Sequence, residues 1–107
     1  MVISQYDILL VSLDPAFGHE IKKSRPCVVI SPDEMNRQLG TVIVAPMTTK
    51  LHAYPTRVAM TFAHRSTWIA LDQIRTVDNR RLIKRLGRME ATPIAAMKSV
   101  IQEMLVD

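Results

Sequence analysis

Helical periodicity occurs once in this chain, at its C-terminal end, and everything before it reads as short apolar runs broken by proline, glycine and polar turns. That order excludes a doubly wound parallel fold, in which strands alternate with helices. It predicts a mainly β, α+β domain: a small, curved antiparallel sheet or barrel covered by one helix. Asp7 to Leu13 is a near-continuous apolar run that suits a strand and ends at Asp14-Pro15. Cys27 to Ser31 and Thr41 to Ala45 are β-branched and apolar and read as central strands. Thr56 to Phe62 alternates, with Val58, Met60 and Phe62 on one face and Arg57, Ala59 and Thr61 on a wet one. Trp68 to Leu71 and Ile74 to Val77 read as two short strands or one bent strand, and Asn79 to Arg88 as a turn followed by a strand. In the last element Thr92 can cap and Pro93 suits the first helical position. Ile94, Met97, Val100, Ile101, Met104 and Leu105 then recur at helical spacing.

No repeat, low-complexity tract or long linker divides the 107 residues, so the expectation is one domain over 1–107. A domain of this size buries about 60 to 70% of its unfolded surface, enough to fold without a staple. The single Cys27 closes no internal disulfide and makes no zinc site alone, which predicts a reducing, cytoplasmic setting. Its place in an apolar strand marks it as a core residue rather than a nucleophile. Apolar stretches such as Ile8 to Val11 fall far below the roughly 18 residues of a membrane-spanning helix. The N-terminus also lacks the basic start of a signal peptide.

Net charge is +4, and its distribution is uneven. Lys50 to Arg88 holds nine basic residues against two acidic ones, Asp72 and Asp78. Such a stretch attracts a polyanion and predicts nucleic-acid binding that weakens steeply with salt.

His19, His52 and His64 stand in three separate contexts without a partner at metal-ligand spacing, and the three glycines are isolated, so neither a metal nor a nucleotide cofactor is expected. What remains is polar: Gly18-His19-Glu20 in the first loop, then Lys22, Lys23 and Arg25, and Thr48-Thr49 after the third strand. A cation beside a carboxylate and a hydroxyl suits metal-free phosphodiester cleavage of RNA. There the 2′-hydroxyl is an internal nucleophile that must only be deprotonated while the phosphoryl dianion is stabilised. Glu20 or His19 can take the proton, Arg25 can neutralise phosphoryl charge, and Thr48 can donate a hydrogen bond.

At these residues the sequence resembles the MazF/PemK toxins of bacterial toxin–antitoxin systems, including the Kid branch. The likeness rests on an ordered series along nearly the whole chain. It comprises Leu13-Asp14-Pro15, Gly18-His19-Glu20, Arg25-Pro26 leading into Val28-Val29-Ile30-Ser31-Pro32, Asn36, Ala45-Pro46-Met47-Thr48-Thr49, and Asp72-Gln73-Ile74-Arg75-Thr76-Val77-Asp78. The resemblance implies an SH3-like or CcdB-like curved barrel with a C-terminal helix, a homodimer, and sequence-selective, metal-free cleavage of single-stranded RNA. The products implied are a 2′,3′-cyclic phosphate and a 5′-hydroxyl. It also implies an acidic antitoxin of the MazE/PemI kind as partner.

Arg25 and Thr48 match the family's catalytic arginine and threonine, Glu20 a carboxylate implicated as base, and His19 and Asp72 the histidine and aspartate of the Kid branch. Lys22, Lys23, Thr49, Gln73 and Arg75 are the RNA contacts implied. Where Kid has an arginine two residues before the aspartate, this chain has Ala70, which leaves Arg25 as acid and, above all, as stabiliser of charge. Two other classes compete with a nuclease: a CcdB-like toxin that inhibits a protein such as gyrase, and a barrel that binds RNA without cutting it. An aromatic content of 5% supplies few stacking platforms for the latter.

Overall fold

A computed structural model describes residues 1–50 and 54–106. His52, expected to be free of metal, lies outside the described residues. Seven strands form one antiparallel system: β1 Asp7–Ser12, β2 Ser24–Val29, β3 Thr41–Thr48, β4 Arg57–Phe62, β5 Arg65–Ala70, β6 Arg75–Asp78 and β7 Leu82–Arg88. Helix α1, Asp33–Gln38, bridges β2 and β3, and helix α2, Ala91–Leu105, closes the chain. The sheet runs β4-β5-β3-β2-β1-β7, and β6 adds to β3 off that path. This is the curved antiparallel sheet with a C-terminal helix that the sequence predicts.

β3 organises the sheet. On one edge it pairs with β2 through Val29↔Val44, Val28↔Ala45 and Cys27↔Pro46. Its other edge is divided, with β6 opposite Thr41 to Val44 and β5 opposite Met47 and Thr48. Two antiparallel partners thus share that edge, one at each end of β3, with Ala45 and Pro46 between them.

Both faces of that sheet are covered, which explains why β1 reads as continuously apolar rather than alternating. Leu9, Val11, Cys27, Val29, Val42, Val44 and Val77 fill one core. Ile8, Val28, Ala45, Met47, Val58, Ile69 and Leu71 fill the other, where Met97 of α2 is fully buried and Ile94, Val100, Ile101 and Met104 pack around it. Cys27 is a core residue as expected, and burial pushes its thiol up to about 12. Asp7 is buried at the start of β1 and meets Arg85 at 3.0 Å and Arg88 at 3.2 Å, while the Ser4 N–H donates to it at 2.8 Å. These partners satisfy a carboxylate that burial alone would penalise.

The structure differs from the sequence reading at four points. Residues Asp33 to Gln38, to which the sequence assigns no element, form a short helix with Leu39 as its C-cap, followed by Gly40 with φ +67. β2 begins at Ser24 and ends at Val29, so Arg25 is inside the strand and Ser31 outside it; Ser31 instead hydrogen-bonds Asn36 and the Ile43 N–H. β3 continues past Ala45 to Thr48. The last helix takes Glu90 rather than Thr92 as its N-cap, which puts Pro93 at its third position. Pro93 is still tolerated, because no N–H of the first turn has an intrahelical acceptor. The reading of Trp68 to Val77 resolves into two strands, and Asn79 to Arg88 is the expected turn and strand.

Replacing Met97 by Ala removes a fully buried side chain from the core under α2 and should lower unfolding free energy by about 2–5 kcal/mol. Ser99→Ala on the exposed face should change it by less than about 0.5 kcal/mol. Urea unfolding at one fixed protein concentration measures both.

Candidate active site

The β2–β3 ladder stops at Cys27↔Pro46, and two residues further along each strand stand Arg25 on β2 and Thr48 on β3. Because side chains alternate along each strand, Arg25 and Thr48 project from the same face as Cys27 and Pro46, beyond the end of the first core. There the strands diverge around a cleft of about 590 Å³. Its walls are the β1–β2 loop from Gly18 to Lys22, Arg25, Thr48 with Lys50, Tyr54 with Arg57, and Asp72 with Gln73.

The loop tip is a closed turn. The Glu20 N–H donates to the Phe17 carbonyl at 3.1 Å, and the Phe17 N–H donates back to Glu20 Oε1 at 2.6 Å. Gly18 stands between them with φ +57, a left-handed conformation that glycine adopts without steric cost. One oxygen of Glu20 therefore holds the turn, and among the described residues Oε2 has no hydrogen-bond partner. His19 and Glu20 are both exposed at the cleft.

Arg25 donates from Nε to the Lys22 carbonyl at 3.2 Å, which leaves both terminal nitrogens without a partner among the described residues. Thr48 is 8% exposed, and its hydroxyl accepts the Lys50 N–H at 3.1 Å. An accepting hydroxyl still has its proton to donate, so Thr48 can offer that proton to an oxygen in the cleft.

Asp72 occupies a 3-10 turn, Leu71–Gln73, and is fully engaged. Arg57 donates Nε to Oδ1 at 2.7 Å and Nη2 to Oδ2 at 3.0 Å, and Thr56 adds a hydroxyl at 3.1 Å. The Arg57 guanidinium holds the Asp72 carboxyl below the usual carboxylate range and is itself held more firmly protonated. Arg57 also lies 5.6 Å over the Tyr54 ring. It sits directly opposite Ala70 in the β4–β5 register, with its side chain only 8% exposed. The wet face expected for β4 therefore holds for Ala59 and Thr61 but not for Arg57.

Of the residues singled out from the sequence, His19, Glu20, Lys22, Arg25, Thr48, Asp72 and Gln73 meet in this cleft, whereas Lys23, Thr49 and Arg75 lie outside its walls. Arg75 is turned inward, donating to the Leu13 carbonyl at 3.0 Å beneath the loop. Lys23 has φ +69 and gives its N–H to Asp14 Oδ1 at 2.9 Å at the loop base. Lys50, Tyr54 and Arg57 line the cleft without having been singled out; a lone arginine opening an alternating strand carries no signal of its own. Four cationic side chains, Lys22, Arg25, Lys50 and Arg57, face two carboxylates, Glu20 and Asp72. Among the described residues no three His, Cys, Asp or Glu side chains are grouped to hold a metal ion, and no helix is long and apolar enough to cross a membrane.

Arg57→Ala removes the chief cause of the lowered Asp72 pKa, so that pKa should rise toward the ordinary aspartate value. Wild-type Asp72 stays ionised to lower pH, and the stability its pairing contributes is lost as pH falls through the folded-state pKa. A carboxyl-carbon NMR titration of both proteins should show the variant's Asp72 midpoint at higher pH.

Residues 4–105 match the family model described as PemK-like, MazF-like toxin of type II toxin–antitoxin system. The chain is 31% identical over 108 residues to endoribonuclease MazF9 of Mycobacterium tuberculosis, covering 90% of each. It superposes on the crystal structure of MazF from Deinococcus radiodurans with a TM-score of 0.88 at 25% identity, covering 98% of this chain and 97% of that one. It also superposes on a chain of a MazE–MazF crystal structure from the same organism with a TM-score of 0.80 at 27% identity, covering 98% and 96%. A family match over nearly the entire length, joined to the same curled sheet, places this chain in the PemK/MazF-like toxin family of type II toxin–antitoxin systems.

Proposed function

We propose that this protein is a toxin endoribonuclease that cuts single-stranded RNA, and that the cleft at the end of the β2–β3 ladder is its active site. The observation that carries the reading is convergence: Glu20, Arg25 and Thr48, from three separate segments, wall one cleft in which cations outnumber carboxylates.

RNA supplies its own nucleophile, so the protein must accept one proton and stabilise charge. Glu20 Oε2 takes the proton of the 2′-hydroxyl, the 2′-oxygen bonds to phosphorus, and the bond from phosphorus to the 5′-oxygen breaks. The products are a 2′,3′-cyclic phosphate and a 5′-hydroxyl whose proton comes from solvent at the exposed loop tip. Arg25 directs its terminal N–H groups at the phosphoryl oxygens, and Thr48 donates its hydroxyl proton to one of them. His19 stands beside Glu20 at the cleft edge and assists at the same phosphate. Asp72 is the weaker candidate for the base, because Arg57 and Thr56 occupy its oxygens and hold it ionised. Lys22 and Lys50 extend positive charge along the path of the RNA backbone.

The Mycobacterium tuberculosis relative is an endoribonuclease, and a structural neighbour comes from a MazE–MazF crystal structure, which supports an antitoxin partner for this chain as well. An acidic antitoxin segment is the partner the cationic cleft fits, with the toxin acting as a homodimer in the cytoplasm.

Purified protein incubated with a mixed-sequence single-stranded RNA pool in excess EDTA should cut at one short motif and leave 5′-hydroxyl ends. Arg25→Ala should slow cleavage about 10²–10³-fold, the usual scale for losing one donor to a developing oxyanion, while the variant still binds RNA. Intact RNA despite growth arrest on expression would overturn the nuclease reading in favour of a toxin that binds a protein target.

A further inference from the structure

We propose that Gln73 is a positioning residue: it clamps the tip of the β1–β2 loop against the 3-10 turn that carries Asp72 and thereby sets where His19 and Glu20 stand. The inference rests on the cleavage reading above and adds to it the device that brings the loop to the sheet.

The loop has two parts held in different ways. Its base is tied to the sheet by several bonds: Leu13 N–H to the Lys23 carbonyl at 2.9 Å, Lys23 N–H to Asp14 Oδ1, Arg75 to the Leu13 carbonyl, and Arg81 to the Ser12 carbonyl. Its tip, Phe17 to Ile21, is a self-closed turn. Among the described residues, the hydrogen bonds that join this tip to the rest of the fold all come from Gln73. The Ile21 N–H donates to Gln73 Oε1 at 2.6 Å, and Gln73 Nε2 donates to the His19 carbonyl at 3.2 Å. The two bonds straddle Glu20, so one amide fixes the residues immediately before and after the proposed base.

This geometry sets the role expected of Gln73 as an RNA contact against a different one. One amide oxygen accepts and one amide nitrogen donates, both to backbone groups, so both ends of the side chain are engaged in holding the loop. Turning the amide away to read a base edge would give up both bonds, so any contact with RNA has to come from its second N–H with the clamp in place. A glutamine suits the task because it presents a donor and an acceptor on one planar group, matched here to a carbonyl and an N–H two residues apart. The turn's own bonds and the packing of Ile21 against the first core do not depend on the clamp, so its loss displaces Glu20 without unfolding the loop. Misplacement of about 1 Å is enough to cost on the order of 10²-fold in a reaction that depends on orientation.

The test compares wild type, Gln73→Ala and Gln73→Glu by single-turnover RNA cleavage, RNA affinity and amide hydrogen exchange. In Gln73→Ala the Ile21 amide should exchange at least about tenfold faster while Val29 and Val44 in the core are unchanged, a local opening rather than global destabilisation. The cleavage rate constant should fall about 10–100-fold with RNA affinity within about twofold. Gln73→Glu keeps an acceptor for the Ile21 N–H but loses the donor to the His19 carbonyl, so its Ile21 protection should be partly restored and its rate intermediate. Unchanged Ile21 exchange in Gln73→Ala would overturn the clamp. Faster exchange with an unchanged rate would overturn its role in positioning, and weaker RNA binding with unchanged exchange would make Gln73 a direct contact instead. Failure of the wild type to cleave would remove the nuclease reading itself, a result separable from these because it does not depend on the variants.

Discussion

The interaction on which the site depends is one that is not made, the continuation of the β2–β3 ladder beyond Cys27↔Pro46. Proline has no N–H to donate to a ladder, so it is confined to places where a strand has a neighbour on one side only. Pro26 is paired with Leu10 of β1 and lies just outside the stretch of β2 that meets β3. Pro46 lies in the gap between the two partners on the far edge of β3, since β6 ends opposite Val44 and β5 begins opposite Met47. Both prolines thus mark the point where β2 and β3 part company. Arg25 precedes one and Thr48 follows the other by two, so the seam that opens the sheet also brings to the cleft wall the groups proposed to act on phosphate.

The same seam explains what was legible in the sequence. β-branched runs such as Cys27-Val28-Val29 and Val42-Ile43-Val44 identify central strands because two buried faces demand them. The ends of those strands lie beyond what the sequence suggests where proline intervenes, since a sequence rule that stops a strand at proline does not see that the lost ladder bond falls where no partner stands. Helix α1 is hard to read for a related reason: six residues without an apolar stripe have no period to detect, and its buried residue is the polar Asn36, bonded to Ser31. The cap of α2 was misplaced because Pro93 is equally acceptable anywhere in the first turn.

The site divides in the same way. Arg25, Thr48 and Glu20 were legible because their types and order suit phosphoryl chemistry, and the fold brings them to one cleft. Arg57 was not, because its importance arises from register: it lies across from Ala70 and reaches the carboxylate two residues further along that segment. No spacing along the chain encodes a contact between residues 57 and 72. Arg75 shows the converse, a basic residue inside a recognisable motif whose guanidinium faces the loop's own backbone. Charge counted along a sequence overstates the charge a polyanion meets, because part of it is already engaged in holding loops.

The arrangement of charge in the cleft also bears on how one surface can serve both RNA and an acidic peptide. Asp72 is neutralised by a bidentate arginine, and one oxygen of Glu20 is engaged by the Phe17 N–H. Neither carboxylate therefore cancels the field of Lys22, Arg25 and Lys50 as fully as its formal charge suggests. An incoming phosphate or carboxylate meets guanidinium and ammonium groups whose hydrogen bonds are not yet committed, Arg25 above all. Both ligands are anionic and both fit planar donors, so electrostatics attracts them alike without distinguishing them. With Glu20 as the proposed base, discrimination comes from what only RNA possesses, a hydroxyl beside the phosphate. On the proposed reading attraction belongs to Lys22, Arg25 and Lys50 around the cleft and proton removal to Glu20 at the loop tip, so the tie between loop and sheet bears on the chemistry more than any further positive charge would.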